Sequence, residues 1–350
     1  LIILLFLVGL FFSLVSTSLI ASDKLNTNDY LFFFKHLIFL CIGGVFIFTF
    51  SSMNQEYLFK ISIVCFGASL VLLILVPLVG VEVKGSKRWI DLYLLPRFQP
   101  IELVKPFFIV FLSILLSSQK HVNIYLKYSL SFFATLGVVF FLVLQPDIGQ
   151  TLLILFAWSI LIFISGINLI FLITLFFILI LSFSYLVLFV PKFAYIKSRI
   201  ISFFDSDTGT HNFQSDKAIE SIVSGGFFGK GIGEGTLKNR VPEAHTDYII
   251  SVISEEFGIV AIILILFLFL VFIHTVFKKV NLEKNDRSKL ILVGCISLIL
   301  MQVMIHVGVN IRLFPTTGMT LPFISYGGSS IVGMSIISGI ILNLTRRKID

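Results

Sequence analysis

The chain has 350 residues, 57% of them hydrophobic and only 13% charged, with a mean hydropathy of +1.05 and a formal net charge of +7. A soluble domain carries about 25% charged residues to cover its core, so soluble dehydrogenases, nucleic-acid modules and secreted disulfide scaffolds are excluded together. Repeated apolar runs near 20 residues predict an all-α, polytopic integral membrane protein.

The chain opens at Leu1 already inside a hydrophobic segment, so its natural start is expected upstream and a cleaved signal peptide is not expected. Ten transmembrane helices are predicted, at residues 1–20, 31–50, 59–80, 101–118, 127–144, 148–164, 167–190, 248–275, 289–310 and 324–343. The sixth and seventh form one run too long for a single helix, and Gly166 and Asn168 supply the turn that divides them. Cys41, Cys65 and Cys295 all lie inside apolar runs, where they read as small hydrophobes rather than as a disulfide framework or a metal set.

Lys and Arg in short loops set the orientation. Lys120 and Lys127 follow the fourth span; Lys278, Lys279, Lys284, Arg287 and Lys289 follow the eighth; Arg346, Arg347 and Lys348 close the chain. All three groups have the same parity, which predicts cytoplasmic termini and places residues 81–99 and 191–247 outside. Scattered in this way, the basic residues suit anionic lipid better than nucleic acid. The long extracytoplasmic loop 191–247 holds seven basic and seven acidic residues, and its length suggests a functional loop or lid, a tether being the other reading.

Proline stands near the outer start of four spans, at Pro100, Pro146, Pro242 and Pro322. Proline fits a first helical turn, and four helix N-termini would together favour an anion; plain capping is the alternative. At the fourth span Glu102 and Lys105 are three apart on one helical face, either a structural ion pair or one that also orients a polar substrate. At the sixth, Gln145, Pro146 and Asp147 repeat the pattern, with Asp147 either a cap or a site residue.

Residues 225–235 are glycine-rich without the spacing of a nucleotide loop, and read as a phosphate-compatible segment beside the cations Lys230, Lys238 and Arg240. Asp247 follows Glu243, His245 and Thr246 where the loop becomes the eighth span, near the interface and near enough to burial for its proton affinity to matter. His245 is its polar companion, and Glu255 and Glu256 lie a little over two turns on. Residues 312–330 combine prolines, glycines and hydroxyls, including Ser325, Tyr326, Ser329 and Ser330. Such backbone must line protein or water rather than lipid, which argues for a polar cavity behind the outer helix ends.

These motifs, taken in order, resemble the SEDS family of bacterial cell-wall polymerases over nearly the whole chain. They are Gly85 to Ile90 with Lys87, Arg88 and Trp89; Phe98 to Lys105 with Gln99, Glu102 and Lys105; Gln145 to Gly149 with Asp147; Glu243 to Ile249; and Pro315 to Ser330. Thr320 to Tyr326 and Glu243 to His245 are more similar to the division branch than to the elongation branch. Ile101 stands where the family usually has serine, so a hydroxyl contact there is lost.

The resemblance implies a peptidoglycan glycosyltransferase that polymerises lipid II at the outer leaflet of the bacterial inner membrane, with polyprenyl diphosphate as leaving group. It implies a class B penicillin-binding transpeptidase and divisome regulatory proteins as partners, and no nucleic acid. Asp247 becomes the catalytic carboxylate, and the other polar residues of the motifs become candidates for substrate binding. A divalent cation such as Mg2+ or Mn2+ is a possible helper whose ligands the sequence does not identify. The competing classes are a lipid-linked precursor flippase or transporter, and a noncatalytic scaffold.

Overall fold

The computed structural model describes residues 1–25, 30–83, 86–91, 96–117, 123–204, 210–235 and 244–346. Each of the ten apolar runs is helical: α1 (Ile2–Leu25), α2 (Leu31–Ser52), α3 (Gln55–Val79), α4 (Pro100–Leu116), α5 (Ile124–Leu144), α6 (Ile148–Ile164), α7 (Leu169–Phe189), then α10 (Ile249–Leu282), α11 (Asp286–Asn310) and α12 (Gly328–Thr345). Among the described residues seven of these, α2, α3, α5, α7, α10, α11 and α12, are long and apolar enough to cross a membrane. The chain is a multi-pass membrane protein.

Helix starts follow local chemistry. Asn54, Asn123 and Asn168 cap α3, α5 and α7, each side chain accepting from the amide two residues on. Gly166, at φ +95°, reverses the chain between α6 and α7, as the sequence predicts. Pro100 occupies the first turn of α4 as expected, but Pro322 lies six residues before α12, whose helical backbone begins only at Gly328. The intervening segment is held in turns by Ser325 and Tyr326, so the expected helix start at 324 moves inward.

The stretches 81–99 and 191–247 both carry regular structure that hydropathy does not reveal. In 81–99, β1 (Val81–Val83) pairs antiparallel with β2 (Ser86–Trp89), modifying the all-α expectation; alternating valines and an aromatic favour the extended chain. Ile90 and Phe98 then exchange two backbone hydrogen bonds, which ties the hairpin to the start of α4. In 191–247 the chain forms α8 (Ala194–Phe204) and α9 (Thr210–Gly225).

Contacts divide the chain into two compact units. The first comprises Leu1–Thr49, Ser202–Thr275 and Ile299–Gly339. Its core gathers Phe6, Phe269 and Phe272 around Phe323 at ring distances of 5.0, 6.2 and 6.0 Å. The second comprises Phe50–Ile201, Val276–Leu298 and Ile340–Asp350. Here α4 packs against α3, α5 and α6, and Asn343 Nδ2 donates to the carbonyls of Phe50 and Ser51 where α2 ends.

Candidate functional site

In the second unit the fourth- and sixth-span motifs come together as one buried polar cluster. Lys105, with no exposed surface, lies 2.7 Å from Glu102 Oε2. Gln150 Nε2 donates to Glu102 Oε1 at 3.0 Å, and Gln99 Nε2 donates to Asp147 Oδ2 at 3.0 Å. The Gln150 amide donates to Asp147 Oδ1, so Asp147 is a true cap of α6. Burial pushes the Asp147 carboxyl above its ordinary range, opposed by the Arg88 guanidinium and the Gln150 amide.

Arg88 reaches this cluster from β2. Its Nε donates to the Gln145 carbonyl at 3.3 Å, its Nη2 to the Pro146 carbonyl at 2.6 Å, and its Nη1 lies 3.7 Å from Asp147. The fork is thus used on the α5–α6 turn. Gln145 Nε2 in turn donates to the Leu73 carbonyl of α3. Lys87 points outward on the hairpin, opposite Glu82, beside a half-buried Trp89. The sequence reading passes over Gln150, which links the two acidic ends of the cluster; its spacing from Asp147 was the available signal.

The first unit contains the segment around Asp247. Three consecutive carbonyls there each accept a hydrogen bond: His245 O from the Tyr326 amide at 3.1 Å, Thr246 O from Ser325 Oγ at 2.7 Å, and Asp247 O from Asn310 Nδ2 at 3.1 Å. The Ser325 hydroxyl also accepts from the Leu321 amide. The main chain of His245, Thr246 and Asp247 is therefore pinned between α11 and the 320–326 segment, with Asp247 itself half-buried.

That segment is in turn held from α11. Gln302 Nε2 donates to the Thr320 carbonyl at 3.0 Å, and His306 Nδ1 lies 2.8 Å from the Met319 carbonyl. With Asn310, these side chains form a row at i, i+4 and i+8 on one face of an apolar helix. The Thr320 and Ser330 hydroxyls meet at 2.8 Å, and Ser329 is buried at the start of α12. Phe323 adopts φ +66°, rare for an aromatic residue, and its packed ring supports that strained turn. Gln302 and Asn310 are supports of the Asp247 and 320–326 segments that motif reading missed, although buried polar residues at helical spacing in a membrane span mark them.

Phe32, His36, His245 and Tyr326 form an aromatic group, with Phe32 5.2 Å from His245 and His245 5.7 Å from Tyr326. Burial raises the Tyr326 phenol above its ordinary range, so it stays neutral. The Lys230 ammonium is 3.4 Å from Glu255, which is fully buried. Lys238, Arg240 and Glu243 lie outside the described residues. Among the described residues no three His, Cys, Asp or Glu side chains gather as a metal site.

The cell cycle protein family of FtsW, RodA and SpoVE matches residues 1–349. A probable peptidoglycan glycosyltransferase FtsW of Caulobacter vibrioides is 30% identical, over 94% of this chain and 83% of that protein. The stage V sporulation protein E of Bacillus subtilis is 33% identical, over 95% and 91%. A chain solved in work on the structural coordination of polymerization and crosslinking by a peptidoglycan synthase complex superposes with a TM-score of 0.80 at 27% identity, covering 98% of this chain and 96% of that one. The rod shape determining protein RodA of Thermus thermophilus gives 0.70 at 27%, covering 100% and 97%.

Proposed function

The chain belongs to the FtsW, RodA and SpoVE family of cell cycle proteins, and on that premise we propose that it is a peptidoglycan glycosyltransferase that polymerises lipid II for septal wall synthesis. The observation that carries the site is the row of three pinned carbonyls under His245, Thr246 and Asp247. A general base needs a fixed position relative to the proton it takes, and a pinned main chain at Asp247 supports that reading by limiting how far its side chain can wander.

In the reaction, a sugar hydroxyl of one lipid-linked precursor attacks the anomeric carbon of another. The new carbon–oxygen bond forms as the bond to the diphosphate breaks, Asp247 takes the hydroxyl proton, and the polyprenyl diphosphate leaves with the bonding pair. One displacement inverts the donor carbon. Lys238 and Arg240, which precede Asp247 by nine and seven residues in the chain, are the cations proposed to meet the diphosphate, since Lys230 is already paired with Glu255. Arg88 acts indirectly, by holding the α5–α6 turn. A bound Mg2+ or Mn2+ would share the charge on the diphosphate, but the described residues offer no cluster of three His, Cys, Asp or Glu to hold it.

The proposal includes ten membrane spans in the bacterial inner membrane, both termini in the cytoplasm and the Asp247 end facing outward. A class B penicillin-binding transpeptidase is the partner, supported by the likeness to a chain from a complex that couples polymerisation with crosslinking; divisome regulators join the pair. The decisive assay mixes purified protein, that transpeptidase and labelled lipid II, and resolves the glycan products. Asp247→Asn is expected to remain folded and partner-bound while polymerisation falls about 100- to 10,000-fold. Polymerisation at the parent rate would reduce Asp247 to a local organiser, and lipid II translocation without any glycan product would favour a flippase.

A further inference from the structure

The glycine-rich segment after α9 is built into a break in a membrane helix. At Gly258, φ +75° and ψ 179°, α10 loses its helical path, which frees carbonyls before the break and amides after it. The loop satisfies both sets: the Lys230 and Gly231 amides donate to the carbonyls of Glu255 and Glu256 at 2.9 and 3.0 Å, while the Ile259 and Val260 amides donate to the carbonyls of Gly226 and Phe227 at 3.0 and 3.4 Å. The two chains are interlocked so closely that a Cβ on Gly229 would stand 2.1 Å from the Glu256 carbonyl oxygen. Amides used in this way do not form the phosphate-compatible nest that the glycine pattern suggests.

The interlock leaves the loop's apolar side chains pointing away from the protein. Phe227 is 74% exposed and Phe228 84%, with Val223 and Ile232 also exposed. The Phe227 carbonyl is bonded at Val260, the first residue of an exposed apolar stripe on α10 formed by Val260, Ile263, Leu264, Phe267 and Leu270. Spaced by three and four on a membrane-crossing helix, that stripe faces lipid. From Ile259 to Phe277 the helix carries no Asp, Glu, Lys or Arg, a run of about 30 Å that matches the hydrocarbon core. The phenylalanine tip is therefore continuous with the lipid-facing stripe and level with the edge of the hydrocarbon.

We propose that the Gly225–Gly235 loop is an interfacial lipid anchor, with Phe227 and Phe228 inserted among the acyl chains of the leaflet that meets the N-terminal end of α10. Phenylalanines on an apolar face bury at the boundary of headgroups and acyl chains, and the loop then ties the break in α10 to the membrane surface. The inference stands whatever reaction the chain performs.

The test places a nitroxide at Phe228→Cys in the full chain, with Cys41, Cys65 and Cys295 replaced by Ala, in vesicles of phosphatidylcholine and phosphatidylglycerol. The ratio of collision with oxygen to collision with an aqueous nickel chelate should exceed, several-fold, that of the same label at Lys284→Cys, an exposed position between α10 and α11. Equal ratios would overturn the anchor, since the tip would then be in water. Low collision with both reagents would overturn it too, because protein would cover the tip. Phe227→Cys repeats the measurement if the first variant does not fold. In the unsubstituted protein, phospholipids with a diazirine in the acyl chain should form adducts within residues 223–232, and adducts confined to other segments would sink the proposal.

Discussion

A lysine without exposed surface inside a membrane bundle keeps its place only if its charge is answered. Lys105 is answered by Glu102 one turn earlier, and Glu102 by Gln150 across the α4–α6 contact. Removing one partner strands an ion where no water reaches it, so Glu102→Ala should lower stability by about 3–5 kcal/mol. The double variant Glu102→Gln with Lys105→Met should recover most of that loss. Thermal unfolding of the purified proteins checks this, and parent-like midpoints in Glu102→Ala and in Lys105→Met alone would rule out the account. The pair was legible in the sequence because i and i+3 are neighbours on any helix. The placement of Arg88 was not, since it binds carbonyls at Gln145 and Pro146 that only the hairpin's docking brings near. The Asp247 segment was legible as a position, but its support from Asn310 and Ser325 depends on where distant elements fold.

At the scale of elements, breaks matter more than spans. Hydropathy located the ten apolar runs because each must hide its backbone from lipid, and Gly166 with Asn168 marked a turn through local preferences that act within a few residues. It did not mark the break at Gly258, which sits between the Glu255–Glu256 pair and a long apolar run, has no proline beside it, and is stabilised by a loop some 30 residues earlier. It also missed the β1–β2 hairpin, α8 and α9, which are short or interrupted by charged residues and so form no apolar run of membrane length. The break can be tested directly. A Cβ at residue 258 would need an unfavourable positive φ and would stand 2.1 Å from the Phe227 carbonyl oxygen, so Gly258→Ala should displace the loop and cost about 1–3 kcal/mol. Amide exchange at Ile259 and Val260 should rise with it, because those amides donate to the loop. Unchanged exchange at both would show that the loop does not hold the break.

At the scale of the whole molecule, the orientation rests on parity. The basic residues at 278–289 lie in the last turns of α10, the first turn of α11 and the short connection between them, and short connections rich in Lys and Arg tend to be retained in the cytoplasm. One crossing of α10 separates that connection from α9, so the two should lie on opposite faces. Asn285 is exposed in the connection, and Glu220 is exposed on α9, where its side chain is 49% accessible. Introduced singly as Asn285→Cys and Glu220→Cys in a chain with Cys41, Cys65 and Cys295 replaced by Ala, the two thiols should differ in their reaction with a membrane-impermeant maleimide added to intact spheroplasts. Cys at 220 should be labelled from outside, and Cys at 285 only after the membrane is opened. Asp247 lies at the α9 side of the same helix, so this result also decides which face can meet a lipid-linked sugar. Labelling of both positions from outside would show that α10 does not cross between them, and the outward placement of Asp247 would fall with the topology.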